Sequence, residues 1–231
     1  MTGSLLHLAL ASLLFIGSHL VLSSGAMRSA VVAATGEPLF RGLYSLVALV
    51  LIVWMVMAYN AAPYVEIWFP ATGWRHLALT LMLPAAILVV GGITTPNPAS
   101  AGTDTPDVAA RGPTGFVKIT RHPLMWGIGL WGISHLLANG DAAGMILFGS
   151  LTALALLGPL SIDARRRASM GAEWERFAAE TSYLPFAAMV AGRTRLRFGE
   201  IGWWRIGLGI ALYAVLLWAH PWLFGVSPLP F

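Results

Sequence analysis

Hydrophobic residues are concentrated in six long runs, which short polar stretches separate. A helix needs about 20 mainly apolar residues to cross the hydrocarbon core of a bilayer, and each run approaches that length. The runs cover residues 4–23, 41–60, 74–95, 122–138, 142–160 and 203–223. This pattern predicts an all-α fold, a polytopic transmembrane helical bundle of about six spans, which forms a single domain over residues 1–231.

The connections between the runs differ in length and character. Only Asn139-Gly140-Asp141 separates the fourth run from the fifth, and these turn-forming residues predict a tight antiparallel hairpin. Residues 96–117 are rich in Pro, Gly and small polar residues, which predicts a long loop of the kind that often acts as a lid or a mobile connection. Residues 161–200 are polar and basic, and they predict short amphipathic helices at the cytoplasmic surface, either resting on anionic lipid or covering a site.

Composition supports the membrane assignment, because 57% of the residues are hydrophobic and only 10% are charged. The net charge of +4 rests on few charged residues in total, so membrane topology explains it better than a nucleic-acid partner does. The chain has no cysteine, which excludes disulfides and thiolate chemistry.

The basic residues indicate an orientation. If the connections after the first, third and fifth spans share one side, that side carries every Lys and Arg except Arg75. The positive-inside rule makes that side cytoplasmic. Both the N-terminus and the C-terminus are then expected outside.

Two histidines are expected at the same depth on separate helices. His19 lies about 6 Å inside the cytoplasmic end of the first span, and His122 stands at the start of the fourth, at 1.5 Å rise per residue. Two imidazoles in this arrangement suit axial ligation of a haem iron, so His19 and His122 are the candidate metal ligands. His135 lies about 20 Å further along the fourth span and is expected to line a pocket or to bond across helices.

Other residues near these histidines suit a bound haem. Gly127 would allow a close approach of the cofactor, although tight helix packing explains a glycine equally well. Arg121 and Arg28 would pair with the haem propionates, because a guanidinium matches a carboxylate, or they serve only as cytoplasmic anchors. A dinuclear metal site is disfavoured because the spans contain almost no carboxylates.

A set of motifs, spread in order over most of the chain, resembles the NnrU family, which includes the zeta-carotene isomerases of plants and cyanobacteria. The motifs are Ser18-His19 through Arg28, Gly36-Glu37 followed by Phe40-Arg41-Gly-Leu-Tyr44-Ser45, Ile119 through Gly127, Trp131 through Asp141, and Thr181 through Phe186 leading to Gly192-Arg193.

The resemblance implies haem b held by His19 and His122. In the isomerase relatives, reduction is thought to free a coordination position from which the iron polarises a polyene double bond, which would make both histidines catalytic. Bacterial NnrU members are associated with nitrogen oxide reduction and denitrification. Because this sequence is more similar to the bacterial group, the resemblance implies a multi-pass protein of the bacterial inner membrane.

A second resemblance leads to a different cofactor. Arg121-His122-Pro123, together with a later helix containing Glu173, is similar to membrane methyltransferases of the isoprenylcysteine type, which use S-adenosylmethionine. Three hypotheses therefore remain open: a haem-dependent cis–trans isomerase of a polyene, a methyltransferase, and a non-catalytic protein that responds to nitric oxide or another small gas. The sequence does not predict an oligomeric state.

Overall fold

The fold is known from a computed structural model, which describes residues 3–23 and 25–229. Within these ranges the chain forms twelve α-helices. They are α1 (Leu5–Leu22), α2 (Gly25–Thr35), α3 (Glu37–Ala61), α4 (Thr72–Thr94), α5 (Pro106–Ala110), α6 (Phe116–Ile119), α7 (Pro123–Asn139), α8 (Ala142–Met170), α9 (Ala172–Glu180), α10 (Ala187–Val190), α11 (Phe198–Ile201) and α12 (Trp203–Phe224).

Six long helices correspond to the six hydrophobic runs, which confirms the prediction of an all-α membrane bundle. In the described part of the chain, five of them are long and apolar enough to cross a membrane, namely α1, α3, α4, α8 and α12. The sixth, α7, has 17 residues and is about 25 Å long, which is less than the hydrocarbon thickness of about 30 Å. The number of spans supported by helix length is therefore five rather than six.

The long helices pack side by side in the order α12, α4, α7, α8, α1 and α3. Small residues bring α4 and α7 especially close. A Cβ atom added to Gly92 would lie 2.4 Å from the backbone nitrogen of Leu124, and one added to Gly127 would lie 2.8 Å from a methyl carbon of Val89. Contact between helix backbones is a common way for transmembrane helices to associate, because it gains dispersion energy where water is absent.

The hairpin between α7 and α8 is confirmed. Gly140 ends α7 in the left-handed conformation, with a φ of 73°. Asp141 caps α8, since its Oδ1 accepts a hydrogen bond of 2.8 Å from the backbone N–H of Gly144. The connection between α3 and α4 folds over this turn, and the N–H of Ile67 donates to the carbonyl of Gly140 at 2.9 Å.

The predicted loop over residues 96–117 contains two short helical elements, α5 and the start of α6, and it is packed against the rest of the protein. Its apolar side chains join an apolar cluster with residues of α8 and α9; the buried members are Ala99, Ala109, Val117, Met170, Trp174 and Phe177. The first part of the polar segment 161–200 continues α8. This helix ends at Met170, ten residues beyond the predicted end of the span. It then forms the amphipathic α9 and the short α10.

Ion pairs join the start of α3, the connection that follows α4, the end of α8 and the connection that follows it. The carboxylate of Asp104 lies 3.3 Å from the guanidinium of Arg41 and 2.9 Å from that of Arg166. Lys118 pairs with Glu200 at 2.7 Å. These connections therefore share one end of the bundle, as the distribution of basic residues predicted, and that end is called the basic end below.

Candidate functional site

A buried ionic cluster lies at the basic end. Asp163 of α8 accepts from two neighbours that precede α7: its Oδ1 lies 2.7 Å from Nε2 of His122, and its Oδ2 pairs with the guanidinium of Arg121. Arg121 is 9% exposed and His122 is 3% exposed. Because an ionised carboxylate only accepts hydrogen bonds, Nε2 of His122 carries the hydrogen in this arrangement.

The segment after α9 holds Arg121 in place. Its Nε donates to the hydroxyl of Thr181 at 2.9 Å, and its backbone N–H donates to the carbonyl of Ser182 at 2.7 Å. The guanidinium carbon also lies 5.6 Å from the ring centroid of Trp174, a cation–π contact. Trp174 and Phe177 are fully buried.

Tyr183 joins the same segment to α7 and α8. Its carbonyl accepts hydrogen bonds from Thr120 Oγ1 at 2.7 Å and from Trp126 Nε1 at 2.9 Å. Its hydroxyl donates to the carbonyl of Leu156. Burial raises the pKa of the Tyr183 phenol above its usual value, so the phenol keeps its proton and remains a donor at neutral pH.

His19 has different partners from His122. Its Nδ1 is 2.8 Å from the carbonyl of Phe15, and its ring centroid is 5.5 Å from that of Tyr44. Within the described ranges, no hydrogen bond, ion pair or ring contact connects His19 with His122. The expected ligand pair therefore stays a prediction, and Nε2 of His122 already has Asp163 as its partner.

The other residues expected near a haem also have protein partners. Arg28 pairs with Glu37 at 2.5 Å, and Arg121 pairs with Asp163. The space next to Gly127 is occupied by α4, since an added Cβ would lie 2.9 Å from the carbonyl oxygen of Ala85. The close approach at Gly127 is thus made by a neighbouring helix.

A cavity of about 640 Å³ lies at the end of the bundle opposite the basic end. It is open on one side and is lined mainly by residues of α3, α4, α7, α12 and the connection over residues 62–71. Its wall combines apolar side chains with a few polar ones; among these are Tyr59, Arg75, Leu79, Met82, Ser134, His135, Asn139, Asp141, Tyr213, Leu216 and His220. A mostly apolar cavity with few polar groups is typical of a small-molecule site.

The two cavity histidines are oriented in the same way. Nδ1 of His135 lies 2.8 Å from the carbonyl of Trp131, and Nδ1 of His220 lies 2.9 Å from the carbonyl of Val226. Because a carbonyl only accepts, each Nδ1 carries a hydrogen and each Nε2 keeps its lone pair. A backbone carbonyl commonly fixes metal-binding histidines in this tautomer. The ring of His135 also stacks on Phe148 at 4.6 Å between centroids.

Two of these residues were missed as site residues in the sequence. Asp163 follows the fifth hydrophobic run and directly precedes a run that contains three arginines, and a lone acidic residue in that position is a signal that it pairs with a cation. His220 lies near the end of the sixth hydrophobic run, where a position at the membrane interface explains a histidine equally well. Its position in the same cavity wall as His135, 85 residues away in the chain, depends on the packing of α12 against α4, which no local pattern encodes.

The fold and these sites define a multi-pass α-helical membrane protein with a buried Arg–His–Asp cluster at one end and a histidine-lined cavity at the other. The chain belongs to the NnrU family: the family model described as "NnrU protein" matches residues 7–228. The resemblance seen in the sequence motifs is thereby confirmed.

Two curated relatives are similar over part of the chain. The chloroplastic 15-cis-zeta-carotene isomerase of Zea mays is 35% identical over 83 residues, which are 36% of this chain and 23% of the relative. The protein of the same description from Arabidopsis thaliana is 36% identical over 80 residues, which are 35% of this chain and 22% of the relative. The match thus spans less than a quarter of either relative. No solved structure matches the chain.

Proposed function

We propose that the chain is a haem b-dependent membrane isomerase that interconverts cis and trans double bonds of a polyene. Membership of the NnrU family and the partial similarity to zeta-carotene isomerases support this activity. The observation that carries the cofactor proposal is the pair His135 and His220, which line one cavity and each keep an Nε2 lone pair.

The cavity residues fit a haem. Neutral imidazoles are common axial ligands of haem iron, and the carbonyls of Trp131 and Val226 would hold His135 and His220 in the ligating tautomer. Arg75, also in the cavity wall, would pair with a propionate. The alternative ligands are the predicted pair His19 and His122, and His122 would then have to use Nδ1 or release Asp163.

A haem held in this cavity would supply an iron centre, and the chemistry expected of it is to lower the barrier to rotation about a double bond. The chain supplies the surroundings for this chemistry. Leu79, Met82 and Leu216 form an apolar wall that favours a polyene over water, because burial of its surface is favourable. The hydrogen bond to Trp131 and the stacking on Phe148 would keep the ring of His135 in one orientation towards a bound cofactor.

We further propose that the protein lies in the bacterial cytoplasmic membrane with its basic end in the cytoplasm. Nearly all Lys and Arg residues lie on the side of that end, and the positive-inside rule relates such an excess to the cytoplasm. Because α7, although short, also runs from the basic end to the turn at Gly140, six helices of the described chain connect the two ends of the bundle. Both termini would then lie outside, and the histidine-lined cavity would open near the outer surface.

Absorption spectra of the protein, purified in detergent from haem-replete cells, test the cofactor and its ligands. The wild type should show a Soret band in the oxidised form that shifts on reduction with dithionite. His135→Ala and His220→Ala should lose or shift this band. His76→Ala is a matched control, because His76 is an exposed histidine of α4 outside the cavity wall.

The same spectra separate the two ligand pairs. Loss of the band in His19→Ala and His122→Ala, with His135→Ala unaffected, would overturn the cavity assignment and favour the pair predicted from sequence. A colourless wild type would contradict haem binding altogether.

Activity is tested by adding 15-cis-zeta-carotene to the reduced protein in detergent and following its isomers by chromatography. Conversion that depends on reduction and is lost in His135→Ala is the expected result. A haem spectrum that responds to nitric oxide, without turnover of any polyene, would contradict the isomerase and favour the gas-responsive hypothesis.

A further inference from the structure

We infer that the basic end carries a binding site for a phosphate group, which in the membrane is the headgroup of an anionic phospholipid. The site consists of Arg28 of α2 with Arg165 and Arg166 of α8. It is separate from the histidine-lined cavity and does not depend on the proposed isomerase activity.

The first observation is an excess of positive charge. Glu37 pairs with Arg28 at 2.5 Å and with Arg41 at 2.8 Å. Asp104 pairs with Arg41 at 3.3 Å and with Arg166 at 2.9 Å. The two carboxylates, Glu37 and Asp104, therefore neutralise at most two of the three guanidinium groups with which they pair.

Arg165 adds a further charge that has no carboxylate of its own. It lies within electrostatic range of Arg28, Arg166 and Asp104, yet within the described ranges it forms no ion pair and no hydrogen bond. The Nε atoms of Arg165 and Arg166 are both buried without a hydrogen-bond partner. Buried donors without a partner are costly, and an anion that bound the terminal N–H groups of these side chains would compensate the excess positive charge.

The chemistry of the donors favours phosphate. Guanidinium groups bind phosphate oxygens through paired, charge-assisted hydrogen bonds, and several arginines that converge on one point are typical of such sites. A basic pocket between transmembrane helices at their cytoplasmic ends is a known setting for the headgroups of anionic lipids.

Depth in the membrane favours a lipid as the source of the phosphate. Arg165 lies 23 residues after Ala142, the first residue of α8, and therefore about 35 Å along the helix. The hydrocarbon core is about 30 Å thick, so Arg165 reaches the level of the lipid phosphates. Leu20 of α1 and Leu43 of α3 are 48% and 45% exposed near the same end and would contact the acyl chains.

The test uses the purified full chain in a neutral detergent. Phosphatidylglycerol, phosphatidylcholine or inorganic phosphate is added, and the thermal unfolding midpoint is followed over a range of concentrations. Phosphatidylglycerol should raise the midpoint of the wild type, whereas phosphatidylcholine should not. Competition by millimolar inorganic phosphate would support the same site and identify soluble phosphate as a second source.

Variants decide whether the effect is local. Arg165→Gln should weaken the apparent affinity for phosphatidylglycerol by about fivefold or more, and Arg165→Lys should weaken it too, because an ammonium cannot form the paired bonds. Arg167→Gln is the matched control, since Arg167 is on the same helix, 58% exposed and paired with Glu175. Circular dichroism verifies that each variant is folded.

Two results would overturn the site. An equal loss of affinity in Arg165→Gln and Arg167→Gln would mean that the attraction is a general surface effect of charge. Equal stabilisation of the wild type by phosphatidylcholine and phosphatidylglycerol would mean that the headgroup charge is not recognised.

Discussion

The imidazole of His122 and the carboxylate of Asp163 lie 2.7 Å apart, Nε2 to Oδ1, at the buried end of α7. Through this bond and the adjacent pair with Arg121, α8 is attached to the start of α7 at the basic end, while the hairpin at Gly140 attaches the same helices at the other end. The two helices are therefore joined at both ends, which fixes their register.

Asp163→Asn should destabilise the protein substantially. The amide keeps the size of the side chain, but it leaves the largely buried Arg121 without a counter-charge, and breaking a buried ion pair in this way costs about 3–5 kcal/mol. The unfolding free energy in mixed detergent micelles measures the effect. Asp107→Asn is the control, because Asp107 is an exposed residue of the short α5. A difference from this control within about 0.5 kcal/mol would contradict the prediction.

Gly92→Ala should weaken the contact between α4 and α7. The added methyl would meet the backbone of Leu124 at 2.4 Å, so the helices must separate, and overpacking of this kind costs about 1–3 kcal/mol. Gly149→Ala is the matched control on α8, because nothing lies within 4 Å of the added carbon. Unfolding midpoints of both variants check the prediction, which fails if Gly92→Ala is as stable as Gly149→Ala.

The ion pairs of Asp104 should make stability depend on acid pH. Burial alone raises the pKa of this carboxyl, but the charges of Arg166 and Arg41 and a backbone hydrogen bond outweigh it, so the pKa lies below the ordinary 3.8. Since the folded pKa is the lower one, the stabilisation is complete above the unfolded value and is lost as pH falls through the folded value.

The measurement compares the wild type with Asp104→Asn from neutral to strongly acid pH. The wild type should be the more stable protein at pH 6, and the difference should shrink steadily below about pH 4. A difference that is independent of pH would show that Asp104 acts through packing rather than through its charge.

The long helices could be predicted from the sequence because their cause is local. An apolar run must satisfy its backbone hydrogen bonds internally in a membrane, so the runs at residues 4–23 and 203–223 predicted α1 and α12 to within one residue at each end. The turn at Asn139-Gly140-Asp141 was equally predictable, since a left-handed residue and a helix cap are properties of the residues themselves.

Local patterns could not predict where α8 ends. The hydrophobic run over residues 142–160 stops ten residues before Met170, the last residue of this helix. The extension of α8 is stabilised by contacts with distant segments, such as the pair of Arg166 with Asp104, and these contacts depend on how the chain returns to the basic end.

The sequence by itself determined the class of protein, the helical runs, the shared end of the basic connections and the chemical candidates, because hydrophobicity and charge act at each residue independently. Tertiary structure alone decided the partners of those candidates. It gave His122 the carboxylate of Asp163 and brought His220 to the cavity of His135. These pairings arise because helices far apart in the chain pack through their small residues, and the energy of that packing is a property of two surfaces together.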